Sequence, residues 1–190
     1  ATVLIKDDKK GGGASMSSEL EKMGLDGFVS SSNNVDNEIE VLKSKSLARE
    51  VVNNLGLFVT YKDEDEFSNR ELYRTSPVVV SLTPQEAEKL SAPMEVEMTL
   101  FPNGGMDVLI TVKDKEYRKQ FDKLPAVFPT DEGTVAFFES KDTLAVNQAK
   151  EESKERHIKA FINRPMSVAK GYIQSLSIAP TSKTTSVAVL

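Results

Sequence analysis

The side chains in this chain that could carry acid, base or nucleophilic chemistry are few in kind. There is one histidine, His157, and no cysteine. A Ser-His-Asp triad or a multi-histidine metal site would have to be built around His157, which stands in a charged stretch at the edge of a predicted strand, so a solvated histidine is the better reading. Without cysteine there is no disulfide, no thiolate nucleophile and no Cys-ligated zinc, and the redox compartment stays open. The acidic groups Asp63 to Glu66, Asp131-Glu132 and Glu151-Glu152 lack the alternating ligand spacing of a calcium loop and read as solvated loops. Gly11-Gly12-Gly13 does not make a phosphate loop: the lysines precede the glycines and Ala14 follows, whereas the phosphate-binding spacing ends in Gly-Lys-Ser/Thr. No catalytic, cofactor-binding or metal-ligating set is assigned. Lys43, Lys45 and Arg49 share the polar face of a predicted helix and form the candidate interaction face, for an anionic sugar or a neighbouring subunit, against the plainer reading of a solvated face.

A length of 190 residues suits one domain, with room for an insertion. With 39% hydrophobic and 28% charged residues the chain reads as an ordinary globular protein, neither disordered nor stapled by disulfides. A net charge of -5, with no Lys/Arg run interleaved with aromatic residues, argues against nucleic acid as a partner. No apolar run approaches the roughly 20 residues a membrane helix needs. The chain opens on Thr2-Val3-Leu4-Ile5 and closes on Val187-Ala188-Val189-Leu190, and so reads as a fragment excised from a longer protein, cut at or within a strand at each end.

These residues must be positioned by two kinds of element. Thr2 to Lys6 predicts a strand leading into the glycine loop, and Ser17 to Met23 a brief helix stopped at Gly24. From Asn37 to Leu55 the apolar residues Ile39, Leu42, Leu47, Val51 and Leu55 recur at helical spacing, with Asp36 or Asn37 as cap and Gly56 as the left-handed stop. Leu47 and Val51 are expected to anchor that helix. Tyr61 to Ser76 is charged and aperiodic and reads as a connection.

From Pro77 to Asn163 the period becomes two. Val78 to Leu82 opens this region, and Val96, Met98 and Leu100 alternate with Glu95, Glu97 and Thr99 before a turn at Pro102-Asn103-Gly104-Gly105. The return strand directs Met106, Val108, Ile110 and Val112 to one face. Tyr117 to Phe121, Thr134 to Glu139, Thr143 to Val146 and Ile158 to Ile162 are further strand candidates. A second helix starts at Pro165, carrying Val168, Ala169, Tyr172, Ile173 and Leu176, and a polar loop from Thr181 to Thr185 leads to a last strand at Ser186 to Leu190.

The stretch Glu38-Ile39-Glu40-Val41-Leu42-Lys43-Ser44-Lys45-Ser46-Leu47, running on through Val51-Val52-Asn53-Asn54-Leu55-Gly56-Leu57, resembles the opening of the main helix of Wzz-type polysaccharide chain-length determinants. Thr2 to Asp7 before it resembles the family's first periplasmic strand, and Pro165 to Leu176 followed by Ser177 to Val187 resembles its later helix, loop and returning strand. The middle, Pro77 to Asn163, carries no family motif; an insertion there fits the versions found on Gram-negative tyrosine autokinases of capsule or exopolysaccharide export. The resemblance implies a non-catalytic periplasmic domain of an inner-membrane protein, held between two membrane helices absent from this chain. It also implies a homo-oligomer that meets the polysaccharide polymerase and the nascent glycan and sets polymer length, with no cofactor and with any tyrosine kinase lying beyond Leu190.

The expected fold is therefore α+β: an α/β base formed by the two ends of the chain, 1–60 and 165–190, with an inserted, mainly antiparallel β region over 77–163. The strand at Thr2 to Lys6 is expected to pair with that at Ser186 to Leu190. A secreted glycan-binding β module is the alternative function, disfavoured by the absence of Trp and a count of only 4 Tyr for an aromatic sugar platform. A hydrolase would need two carboxylates from distant segments to converge in one cleft.

Overall fold

The computed structural model describes residues 2–4, 39–65, 68–73, 75–141, 155–180 and 187–189. The glycine loop, the helix expected at Ser17 to Met23, the caps Asp36 and Asn37, the strand candidate Thr143 to Val146, the pair Glu151-Glu152 and the loop Thr181 to Thr185 lie outside them. The chain is α+β with antiparallel sheets, as expected, and divides into two compact units: Ala1–Ala48 with Lys170–Leu190, and Arg49–Ala169.

The first unit joins the two ends of the chain. Strand β1 (Thr2–Leu4) pairs antiparallel with the last strand, β12 (Val187–Val189), which also pairs with β11 (Ala179–Pro180). Thr2 lies opposite Val189 and Leu4 opposite Val187. The expected pairing of the two terminal strands is therefore present.

The helix expected over 37–55 is interrupted. A helical turn at 39–42 ends where the Ser44 N–H donates to the Val41 carbonyl, and α1 (Lys45–Leu55) starts afresh, with the Ser44 carbonyl accepting from the Ala48 N–H. Ser44 stands where serine competes best with helical backbone, at the N-cap position. At the other end the pattern holds: Gly56 takes φ +64°, its N–H reaches the Asn53 carbonyl, and the Leu57 N–H reaches the Val52 carbonyl, the paired bonds of a Schellman stop.

The second unit begins within α1, earlier than the expected insertion at 77. The segment Tyr61 to Ser76, expected as a connection, instead contains most of β2 (Val59–Asp65) and all of β3 (Ser68–Glu71). Charge hid these strands because Tyr61 is the one buried residue from Val59 to Asp63, too few to set an apolar alternation. The strand is held on both edges: Val59 to Asp63 lie opposite Ile162 to Ile158, and Lys62 to Asp65 lie opposite Glu71 to Ser68. Only three residues separate α1 from β2, which draws residues 49–60 out of the base and into this unit; residues 165–169 follow β10 in the same way.

The remaining elements are β4 (Val78–Ser81), α2 (Pro84–Lys89), β5 (Met94–Leu100), β6 (Met106–Val112), β7 (Lys115–Phe121), β8 (Ala126–Thr130), β9 (Gly133–Glu139), β10 (Arg156–Ile162) and α3 (Pro165–Ser175). They complete a six-stranded sheet of order β3-β2-β10-β5-β6-β7 and a three-stranded sheet of order β4-β9-β8. The β5–β6 hairpin has the register its alternation predicts: Met94, Val96, Met98, Met106, Val108, Ile110 and Val112 are buried, while Leu109 falls on the other face. Facing them from the smaller sheet are Val78, Val80, Val135, Phe137 and Phe128, and the Phe121 ring of β7 meets Phe128 edge-on at 6.0 Å and Phe137 at 5.9 Å. Each such fully buried side chain contributes about 1.5–3 kcal/mol through its removal from water.

Helix α2 was not expected, although its signal is present in Thr83-Pro84-Gln85-Glu86. The Thr83 hydroxyl accepts from the Glu86 N–H and the Glu86 carboxylate accepts from the Thr83 N–H, a capping box with Pro84 in the first turn. The other Glu86 oxygen takes the Thr134 N–H at 3.1 Å and so ties α2 to β9. Strand β8 was likewise unexpected; Pro129 on it lacks an N–H, and β8 tolerates that as the edge of its sheet.

Candidate interaction surfaces

Lys45 and Arg49 lie one turn apart on α1 and both are exposed; Lys43 is exposed too but precedes the break at Ser44. Among the described residues none of the three makes an ion pair. The structure therefore brings Lys45 and Arg49 together on one helical surface and leaves Lys43 on a separate turn.

The apolar stripe of the same helix overturns an expectation. Leu47 is 36% exposed, Val51 43% and Leu55 53%, whereas Val52 is 1% exposed. Leu47 and Val51 do not anchor α1; Val52 does. Residues 47, 51 and 55 recur every four positions and drift slowly around the helix, and Val52, one position on from Val51, is turned about 100° from it into the core.

A second apolar surface lies on the outward face of the three-stranded sheet. Val79 pairs with Phe138 and Val127 pairs with Ala136, and Val79, Phe138 and Val127 are all exposed, Phe138 by 46%. The sequence carried the signal in Val78-Val79-Val80 and Phe137-Phe138, where consecutive apolar residues must place one member of each run on the outer face.

The opposite face of the six-stranded sheet is charged. Lys159 bridges Glu95 at 2.6 Å and Glu97 at 2.9 Å, Lys62 lies 5.5 Å from the centre of the Phe161 ring, and Arg118 approaches Asp107 at 3.8 Å. Each is a cross-strand pairing of the kind that holds register on a wet face. His157 is exposed on this face, its Nδ1 3.1 Å from the Thr99 hydroxyl, in keeping with the reading of a solvated histidine.

Among the described residues Asp63, Asp131 and Glu132 have cationic partners. Asp63 is on β2, within 2.7 Å of the Arg156 guanidinium and half-buried, not in a solvated loop. Asp131 and Glu132 form the β8–β9 turn and hold Lys115, whose ammonium pKa is raised chiefly by its hydrogen bond to Glu132. Among the described residues no cluster of His, Asp and Glu has the composition of a metal site, and no helix is long and apolar enough to cross a membrane. Neither a model of a known protein family nor a curated protein matches the chain.

Proposed function

We propose that this chain is the non-catalytic periplasmic part of a Wzz-type chain-length determinant, acting by homo-oligomeric assembly beside a polysaccharide polymerase. The observation that carries the reading, beyond the sequence resemblance, is the pairing of β1 with β12. Because Thr2 lies opposite Val189 in an antiparallel pair, the chain enters and leaves the first unit side by side at one end of a sheet. A domain held between two helices of one membrane is suited by that geometry. The antiparallel unit Arg49–Ala169 then supplies a surface available to partners, and Lys45 and Arg49 stand exposed on α1.

A contact between subunits must bury on the order of 1,000 Å² or more to persist in solution, and membrane tethering raises effective concentration enough for smaller contacts to suffice. Taken alone, this chain is therefore expected to be monomeric or weakly associated.

The test is made in the intact protein, in a strain lacking its native copy. Charge reversal at Lys45 and Arg49, or replacement of residues 77–163, should shift the length distribution of exported glycan on gels while leaving autophosphorylation by the attached kinase unchanged. Unchanged glycan length in every variant, or hydrolysis of glycan by the purified chain, overturns the reading.

A further inference from the structure

The loop between β5 and β6 reads Pro102-Asn103-Gly104-Gly105, and Pro102, Asn103 and Gly104 are exposed. An asparagine followed by glycine can attack itself: with no Cβ on the following residue, the backbone nitrogen reaches the side-chain amide carbon unhindered. At Gly104 nothing lies within 4 Å of the place a Cβ would occupy. Sequence and exposure thus favour cyclisation, and the hydrogen bonds of the turn oppose it. The Gly104 N–H donates to the Phe101 carbonyl at 3.0 Å, the Gly105 N–H donates to Asn103 Oδ1 at 2.9 Å, and the Phe101 N–H donates to the Gly105 carbonyl at 2.9 Å. Pro102 and Asn103 occupy the centre of the turn, which Gly104 closes with φ +86°.

We propose that Asn103 is a latent deamidation site, held unreactive by the turn it belongs to and released when the β5–β6 hairpin opens. In the reaction the Gly104 nitrogen gives its proton to solvent and attacks Asn103 Cγ. The N–Cγ bond forms, the Cγ–Nδ2 bond breaks, and the side-chain nitrogen takes up a proton and leaves as ammonia. Water then opens the cyclic imide at one of its two carbonyls, giving aspartate or isoaspartate. Water is the only co-reactant, and nothing is oxidised or reduced.

Two bonds keep this from happening in the closed turn. Donation to the Phe101 carbonyl stabilises the protonated nitrogen and so disfavours loss of its proton. The bond from Gly105 holds the side-chain carbonyl in place, and ring closure must break both. Once converted, the tip carries a new negative charge. The isoaspartyl form also adds one backbone atom to a turn whose length is matched to the Phe101–Gly105 bond and the Leu100–Met106 pairing. Conversion is therefore a one-way record of hairpin opening.

The experiment follows ammonia loss at Asn103 by peptide mapping, with isoaspartate detected separately by enzymatic methylation, at neutral pH. It compares the folded chain, a synthetic peptide of residues 98–108 and folded Pro102→Gly, which loosens the turn while keeping Asn103-Gly104. The peptide is expected to convert at least about tenfold faster than the folded chain, the order of effect that two net hydrogen bonds provide. Pro102→Gly, with its native circular dichroism retained, should convert measurably faster than the parent chain. Equal rates in peptide and folded chain overturn the proposal. So does a folded Pro102→Gly that reacts no faster than the parent, since the protection would then not come from the turn.

Discussion

The hydroxyl of Tyr61 on β2 serves both backbone groups of Val80 on β4: it accepts from the Val80 N–H at 2.9 Å and donates to the Val80 carbonyl at 3.3 Å. Ser76 does the same for the next outward-facing group, its hydroxyl donating to the Val78 carbonyl at 2.7 Å. An edge strand presents a row of unpaired amides and carbonyls, and here side chains close that row where a neighbouring strand would otherwise pair. The Tyr61 bond also joins the six-stranded sheet to the three-stranded one. Tyr61→Phe keeps the ring and its packing but leaves a buried N–H and C=O without partners. The expected cost is about 1–3 kcal/mol, read as a lower denaturation midpoint at unchanged slope together with faster hydrogen exchange at Val80. An unchanged midpoint would show that water replaces the hydroxyl.

Burial raises the pKa of Tyr61 above 10.0, because the phenolate cannot be solvated there; the bond with Val80 opposes the shift only in part. The folded state then holds this proton more tightly than the unfolded state. Its contribution to stability is fully present below the unfolded value near 10 and is lost as pH rises through the higher folded value. Stability measured between neutral pH and strongly alkaline pH should fall more steeply in the parent chain than in Tyr61→Phe. Parallel curves would refute a role for Tyr61 in the alkaline loss.

Val52 and Leu47 separate the buried from the open side of α1. Val52→Asp places an unpaired charge in the core and should cost several kcal/mol, enough to unfold a domain of ordinary stability. Leu47→Asp, on the exposed stripe, should shift stability by about 0.5 kcal/mol or less. Thermal melts of the two variants compare them directly, and equal shifts would mean that the stripe is covered after all.

Glu86 joins the cap of α2 to β9, and Gly133 at the start of β9 lies against it. A Cβ on Gly133 would stand 2.9 Å from Leu82 Cδ1 and 3.3 Å from Glu86 Cβ, at φ +142°, so Gly133→Ala should cost about 1–3 kcal/mol through strain. Thr83→Ala removes half of the capping box and should cost about 1 kcal/mol. If Gly133→Ala melts at the parent temperature, the contact is looser than the distances indicate.

The hydrogen bond from Thr83, followed by that from the Thr134 amide, lowers the pKa of Glu86 below 4.5. A depressed carboxyl contributes stability that is present above the unfolded value and is lost as pH falls through the folded one. Acid titration of stability should therefore show a shallower loss in Glu86→Gln than in the parent chain. The reverse order would contradict the assignment.

How much of this was legible beforehand depends on where each residue's partners lie. The β5–β6 register could be read directly, because the alternation from Glu95 to Leu100 and from Met106 to Val112 is local and one residue of slip would turn every apolar side chain outward. The stop of α1 at Gly56 and the start of α3 at Pro165 were legible for the same reason, since backbone conformation at glycine and proline is set within a residue or two. Lys45 and Arg49 lie one helical turn apart on α1, whereas Lys43 stands before the break at Ser44, which no local spacing announced. The strands β2 and β3, the burial of Val52 beside an exposed Leu47, the Asp63–Arg156 pair and the bond between Tyr61 and Val80 were not legible. The Tyr61–Val80 bond spans 19 positions and the Asp63–Arg156 pair 93, β2 is held between β3 and the far strand β10, and the burial of Val52 depends on which flank of a helix the fold covers. Local pattern specifies the period of an element, and only its neighbours in space decide which face is buried and which charged strand is paired on both sides.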